Sequence, residues 1–234
     1  MIILGSTGVT LSSGVLQALG STGGALLACD DSQLPCGLYL PMAANTLHSE
    51  RARQQASVST PMRKNLWARL VRAKILGQAA MLQVGPAQTR LLALADSVRS
   101  GDEGHAEEEA ARIYWPLVFV GHADRVPPPF HRRREGPPPN NLLNYGYTIL
   151  RAAAARALCA AGLHPAVGLH HRNRYSGFCL ADDLMEPFRP CVDQVVLALV
   201  GANRLSIDKD VKQALIGTLT RPVQIKGERY ALGD

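Results

Sequence analysis

The chain has 234 residues, 47% hydrophobic and 19% charged, and Lys and Arg outnumber Asp and Glu by 25 to 19 for a net charge of +6. That is enough chain to bury a core as one or two globular domains, and the basic balance suits an anionic partner without specifying one. Five cysteines (Cys29, Cys36, Cys159, Cys179, Cys191) with no C-x-x-C pair argue against a disulfide framework or structural zinc, and no apolar run of about eighteen residues offers a membrane span, so a cytoplasmic protein with no membrane partner is expected.

Ile2 to Leu4, ahead of Gly5, is too short for a signal peptide and reads as a strand. Gly24 to Cys29 and Leu38 to Leu40 are two further candidate strands, with a helix over Val15, Leu16 and Leu19 capped by Ser12 or Ser13. Three short strands make a poor sheet alone, so Ile3, Leu26 and Leu27 are expected to be incompletely covered. Met1 is expected to begin in the middle of a β domain, so that the chain reads as truncated there.

From Thr60 the pattern is helical, with Thr60 as the cap and Pro61 in the first turn. Leu66, Leu70, Val71, Ile75 and Ala79 mark an apolar stripe, and Arg63, Lys64, Arg69 and Arg72 a basic face. Further helices are predicted near 87–98, 106–119, 141–161, 180–201 and 208–219, with Gly162 ending the third of these helices. The Pro- and Arg-rich segment 126–139 is predicted to be a surface loop whose Arg132, Arg133 and Arg134 are solvated or bind phosphate. Residues 221–232 suggest a hairpin turning at Lys226-Gly227. The fold class expected is α+β, with a remnant of an N-terminal β domain over 1–50 and a mostly helical domain over 51–234.

Residues 169–190, LHHRNRYSGFCLADDLMEPFRP, carry the most chemistry. Asp183 and Glu186 stand three apart at a helix start and so share a face. An imidazole and carboxylates facing one point can hold a divalent cation, and neighbouring arginines can hold the phosphates such a cation activates. Taken singly, each residue also has a plainer role. His171 would serve as a loop histidine, Glu107 as part of a solvated acidic run, and Glu186 as the partner of Arg189 or Arg172. His170 is expected to pack or touch backbone.

Four blocks then resemble one family: LWARLVRAKILGQAAML (66–82), EEEAARIYWPLVF (107–119), LLNYGYTILRAAAARAL (142–158) and GLHHRNRYSGFCLADDLMEPFRP (168–190). They are similar to the CRISPR-associated integrases of spacer acquisition, the Cas one family, in the branch that accompanies the RNA-guided effector nuclease. The resemblance implies a homodimeric, Mg²⁺- or Mn²⁺-dependent DNA endonuclease and integrase that acts on double-stranded DNA with a small second adaptation protein. It also implies a metal site of one Glu, one His and one further acid. The family's G-x-x-H element falls on Gly168 to His171 and selects His171, and the Glu of DLME is Glu186, with Asp183 in reserve.

The first Glu of that set lies three residues before an Ala-Ala pair and seven before a Tyr, which selects Glu107. Helix geometry agrees, because Glu107 shares its face with Ala110, Ala111 and Tyr114, whereas Glu109 shares one with Arg112 and Ile113. His105 and Glu108 depart from the family's usual Asn and Ala. Arg172, Arg174 and Arg189 are the DNA-binding candidates. Asn144, Tyr145 and Tyr147, at the family's LNYGY signature, are read as helix packing through Gly146. Two rival readings remain at this point, a truncated, catalytically weak DNA-binding or assembly relative and a hydrolase of small phosphoesters, the second disfavoured by the arginine loop.

Overall fold

Short apolar runs between Gly and Asp residues form the opening strands β1 (Ile2–Leu4), β2 (Leu26–Cys29) and β3 (Pro35–Tyr39). The structure is a computed structural model that describes residues 1–6, 8–31, 35–41, 45–225 and 227–233. β1 runs parallel to β2, Ile2 opposite Leu26, so the helix between them, α1 (Ser13–Ser21), is the crossover such a pair requires. β3 returns antiparallel, with Leu26 opposite Tyr39. It starts upstream of the predicted Leu38 because residues 35–37 lie opposite Cys29 and Ala28 and are drawn into the ladder.

The expectation of a poorly covered sheet is corrected at Leu26 and Leu27, which are 8% and 2% exposed. Leu27 joins the main core alongside Leu142, Leu143 and Ile149 of the long helix described below, so the sheet rests on the helical body. Ile3 alone of the three is only half-buried.

α2 (His48–Ala56) was not legible in the sequence, since it is strongly polar and buries no residue. It is held by Gln55, whose amide donates to the carbonyls of His164 and Val167 and accepts from the His164 amide. α3 (Thr60–Met81) is capped one residue earlier than predicted. Ser59 has the extended backbone a cap needs, and its hydroxyl accepts from the Met62 N–H. The buried stripe of α3 is Trp67, Val71, Ile75, Gln78 and Ala79, while Leu66 and Leu70 are half-buried. α4 (Pro86–Ser97) and α5 (Ala106–Val118) close a second core over it with Leu91, Ala95, Ala106 and Ala110.

α6 (Asn140–Ala160) is the central helix of the main core. The single helix predicted over 180–201 is in fact α7 (Cys179–Met185), a 3₁₀ turn at Glu186–Phe188, and α8 (Arg189–Gly201). Pro187 and Pro190 bring no amide hydrogens, which loosens the α-helical ladder there. α8 lies so close to α6 that a Cβ at Gly146 would sit 2.4 Å from Val192 Cγ1, so the LNYGY glycine is a packing requirement. α9 (Lys209–Ile216) and a 3₁₀ turn lead to the hairpin β4 (Pro222–Ile225) and β5 (Glu228–Ala231), with Ile225 opposite Glu228. Of its predicted turn, Lys226 lies outside the described residues and Gly227 takes a positive φ of 86°. Among the described residues no helix is long and apolar enough to cross a membrane.

Candidate active site

α3 is the spine of the site, because both α5 and the turn at Glu186–Phe188 pack against it. From α3 the Lys74 ammonium reaches Glu107 Oε1 at 2.6 Å and Glu186 Oε2 at 2.6 Å. Two carboxylates from elements distant in the chain therefore converge on one cation. Of the three consecutive glutamates, Glu107 alone turns inward. Glu108 pairs with Arg112 one helical turn on, and Glu109 reaches out to Arg90. The backbone under Glu107 is fixed by Asp102, whose carboxylate accepts the Ala106 and Glu107 amides at 2.9 and 3.0 Å. Those amides start α5, where its own ladder leaves donors unpaired and favours negative charge.

Glu186 is 2% exposed. Burial pushes its carboxyl up, but Arg189 first, then Lys74 and His171, outweigh that and hold it below the usual range. Arg189 Nη2 forms an ion pair with its Oε1 at 2.8 Å. Its Oε2 lies at ion-pair distance from Lys74, yet off the angle of a formed hydrogen bond.

His171 is set by Asp183, which is fully buried. The Asp183 carboxylate accepts the amides of Leu169, His170 and His171 at 2.6, 3.1 and 3.1 Å, and His171 Nδ1 at 2.6 Å. A carboxylate only accepts, so Nδ1 carries the hydrogen and the Nε2 lone pair of the neutral ring stays available. This is the hydrogen-bonding pattern of a metal-binding histidine. The Asp183 hydrogen bond raises the His171 pKa against the effect of burial, helped by the charges of Asp183, Glu186 and Asp182. Asp183 is thus the anchor of the loop, with both oxygens engaged. Gly168 lets the loop close on it, since a Cβ there would meet His171 O at 2.4 Å. His170 stacks on Trp67 at 4.3 Å, and His171 meets the same indole edge-on.

His171 also lines a cleft of about 880 Å³ whose charged lining is led by Arg132, Arg134, Arg151 and Arg189, with Glu135 and Asp182 among them. Arg132 and Arg189 both lie against the Tyr147 ring, 5.4 and 4.6 Å from its centre. Tyr147 and Tyr114 donate to buried Asp193, whose pKa burial raises to about 6. Arg132 is also held by Asn140 and Asn144, so it is a fixed part of the wall and not solvated as predicted for the loop; Arg133 and Arg134 are exposed. Arg189 is engaged with Glu186, whereas Arg172 and Arg174 are exposed on the His171 loop, Arg174 lying over Tyr175.

The structure therefore brings Glu107 and Glu186 together through Lys74 and sets His171 within electrostatic reach of Glu186. Among the described residues no three His, Cys, Asp or Glu side chains are gathered tightly enough to hold an ion as they stand. The donor set nonetheless fits a divalent cation. It offers two hard carboxylates already sharing a positive charge, one buried oxygen with no aligned donor, and an imidazole of fixed tautomer. Sequence reading missed Lys74, Asp102 and Asp193. Lys74 was traceable, for it stands seven residues after Trp67 on the buried side of α3, where a lysine needs a partner.

The family model described as CRISPR associated protein Cas1 matches residues 1–222. The CRISPR-associated endonuclease Cas1 of Neisseria meningitidis serogroup C (strain 8013) is 38% identical over 236 residues, which cover 99% of this chain and 75% of that protein. Among solved structures, a casposase bound to integration product superposes with a TM-score of 0.76 at 20% identity, covering 99% of this chain and 74% of that one. A Cas6-RT-Cas1–Cas2 complex gives 0.74 at 19% identity, over 99% of this chain and 29% of that one. At those identities the two structures speak to the fold.

Proposed function

The chain belongs to the CRISPR-associated Cas1 family, and on that premise we propose that it is a metal-dependent DNA endonuclease and integrase of spacer acquisition, its ion held by Glu107, His171 and Glu186. The observation that carries this reading is the meeting of Glu107 and Glu186 at one cation beside an imidazole whose free nitrogen is Nε2. The carboxylates suit Mg²⁺, and the imidazole admits Mn²⁺. A bound ion of this kind supplies Lewis-acid stabilisation of phosphoryl charge and activates an oxygen nucleophile at neutral pH.

The chain's own residues provide the rest. Asp183 holds the His171 ring in one tautomer, and Asp102 fixes the start of the helix that carries Glu107. Arg189 keeps Glu186 ionised in its buried position. Arg172 and Arg174, exposed beside His171, meet the phosphates of the substrate strand. We read residues 1–50 as the β unit and 51–234 as the nuclease unit. The substrate is double-stranded DNA, and a second copy of the chain and a small second adaptation protein are its partners, the second of these supported by the Cas6-RT-Cas1–Cas2 complex among the structural neighbours.

The test is plasmid nicking and integration of a short duplex with Mg²⁺, with Mn²⁺, and with a chelator. Cleavage and joining that need the ion, and that Glu107→Gln abolishes, support the reading. Cleavage that persists in chelator overturns it.

A further inference from the structure

Lys74 sits where two acidic ligands of the proposed metal site converge. Its side chain is 12% exposed and that of Glu186 3%, so the contact lies largely out of water, where unit charges attract strongly and an unpaired one is costly. A purely structural ion pair needs a single acceptor. Lys74 instead straddles carboxylates from two different elements at equal 2.6 Å distances. Its contact with Glu186 Oε2 lacks hydrogen-bond alignment, as a centrally placed charge would, while the other oxygen, Oε1, belongs to Arg189.

We propose that Lys74 is a resident cation of the site, which holds Glu107 and Glu186 together in the metal-free protein and must withdraw when a divalent ion binds. The proposal rests on the metal reading above. Three features make the exchange feasible. Arg189 stays on Glu186, so the buried carboxylate is never left without a countercharge. Glu107 keeps a 30% exposed side chain, which gives an ion a way in from solvent. The lysine stem has four rotatable carbons, so the ammonium can swing away while α3 stays in place. Lys74 is in this sense a positioning residue that competes with the ion it prepares for. The site stays assembled without metal and takes up metal only by displacing a bound charge.

The experiment compares the full-length wild type with Lys74→Met and Lys74→Arg. Mn²⁺ binding is read from the loss of the free-ion electron paramagnetic resonance signal, and melting is followed in chelator and in Mn²⁺. Lys74→Met is expected to bind Mn²⁺ at least tenfold more tightly than wild type, to melt earlier in chelator, and to recover its melting point with Mn²⁺. Lys74→Arg, whose charge remains, is expected to bind no more tightly than wild type. Mn²⁺ affinity in Lys74→Met equal to or weaker than wild type overturns the lysine's role alone. Failure of wild type to bind Mn²⁺, or binding indifferent to Glu107→Gln and Glu186→Gln, overturns the metal set and the lysine's role with it. Wild type supplies an independent check through reductive methylation with formaldehyde, followed by mass spectrometry. Modification of Lys74 relative to exposed Lys209 is expected to rise several-fold in saturating Mg²⁺. Unchanged protection overturns the proposal even if Lys74→Met fails to fold.

Discussion

On the acidic side of the cleft the functional carboxylates are held by main-chain amides or by a lysine on a long helix. Asp183 takes three consecutive amides, Asp102 takes two, and Glu107 and Glu186 share Lys74. On the basic side Arg132 is held by the α6 side chains of Asn140 and Asn144, and both Arg132 and Arg189 lie on the Tyr147 ring. The first arrangement ties the chemistry to the path of the backbone, so removing a holder should unseat a loop. The second hangs charge on one helix, so removing a holder should change affinity or pH response while the fold persists.

The sharpest division this comparison makes is among the glutamates. Glu107→Gln, His171→Ala and Glu186→Gln are each expected to lower metal-dependent nicking by about 100-fold or more, the scale on which loss of one transition-state charge partner costs about 3 kcal/mol. Glu108→Ala and Glu109→Ala, whose partners Arg112 and Arg90 lie on the surface, are expected to keep activity within about threefold, given that exposed pairs contribute about 1 kcal/mol or less. Initial rates on supercoiled plasmid, with circular dichroism to confirm folding, decide it. Full activity in Glu107→Gln with loss in Glu108→Ala would place the acidic wall one residue away from where the structure puts it.

Next in size is the loop anchor. Asp183→Ala leaves three amides and an imidazole nitrogen without their acceptor in a buried place, where each orphaned donor costs about 1–3 kcal/mol before water relieves part of it. A loss of about 3 kcal/mol in urea unfolding is expected, together with faster hydrogen exchange at Leu169, His170 and His171. If stability holds and only activity falls, Asp183 is a ligand after all and the contrast between the two walls fails.

How much of this was readable in advance follows from what each residue touches. The helices over 86–97 and 106–118 were legible because apolar periodicity records burial against a neighbour. Glu107 was selected by the family pattern, and helical spacing agreed by putting it on a different face from Glu109. α2 left no trace, since it buries nothing and is held by a glutamine reaching main-chain carbonyls far along the chain. Leu26 and Leu27 were expected to be incompletely covered because a sheet was weighed alone, when the helical core covers it. The candidate ligands could be named from motif and chemistry, but their holders could not. Asp183, Asp102 and Lys74 act through distances that only the folded chain creates.

A smaller effect separates the walls by pH. Burial raises the Asp193 carboxyl to about 6, so between about pH 4 and 6 the native state holds a proton that the unfolded chain has released. Stability therefore falls as pH rises through that window and is level above it. Glu186 acts in the opposite sense. Held below its usual range, it adds stability that is present above about pH 4.3 and lost as pH falls. The clean quantity is the difference between wild type and Asp193→Asn, which cannot ionise. The variant is expected to gain on wild type by up to about 3 kcal/mol between pH 4 and 6, read from urea midpoints. A pH-independent difference would show that the Tyr114 and Tyr147 hydroxyls already keep Asp193 ionised.

The smallest expected effect lies within the arginine run, where the structure divides three neighbours. Arg132 is part-buried and tied to Asn140 and Asn144, Arg134 is exposed and lines the cleft, and Arg133 is exposed away from it. A phosphate contact releases counterions and steepens the dependence of affinity on salt by about 0.9 per contact on a log–log plot. Arg134→Ser is therefore expected to flatten that slope by about one, while Arg133→Ser leaves it alone. Arg132→Gln should also keep the slope and instead lower stability by about 1 kcal/mol through its lost hydrogen bonds. Anisotropy titrations of a labelled duplex at several salt concentrations measure all three. A slope that drops for Arg132→Gln but not for Arg134→Ser would mean that the inward arginine leaves Tyr147 to meet the phosphate. The basic wall would then be a moving part and the acidic wall a fixed one.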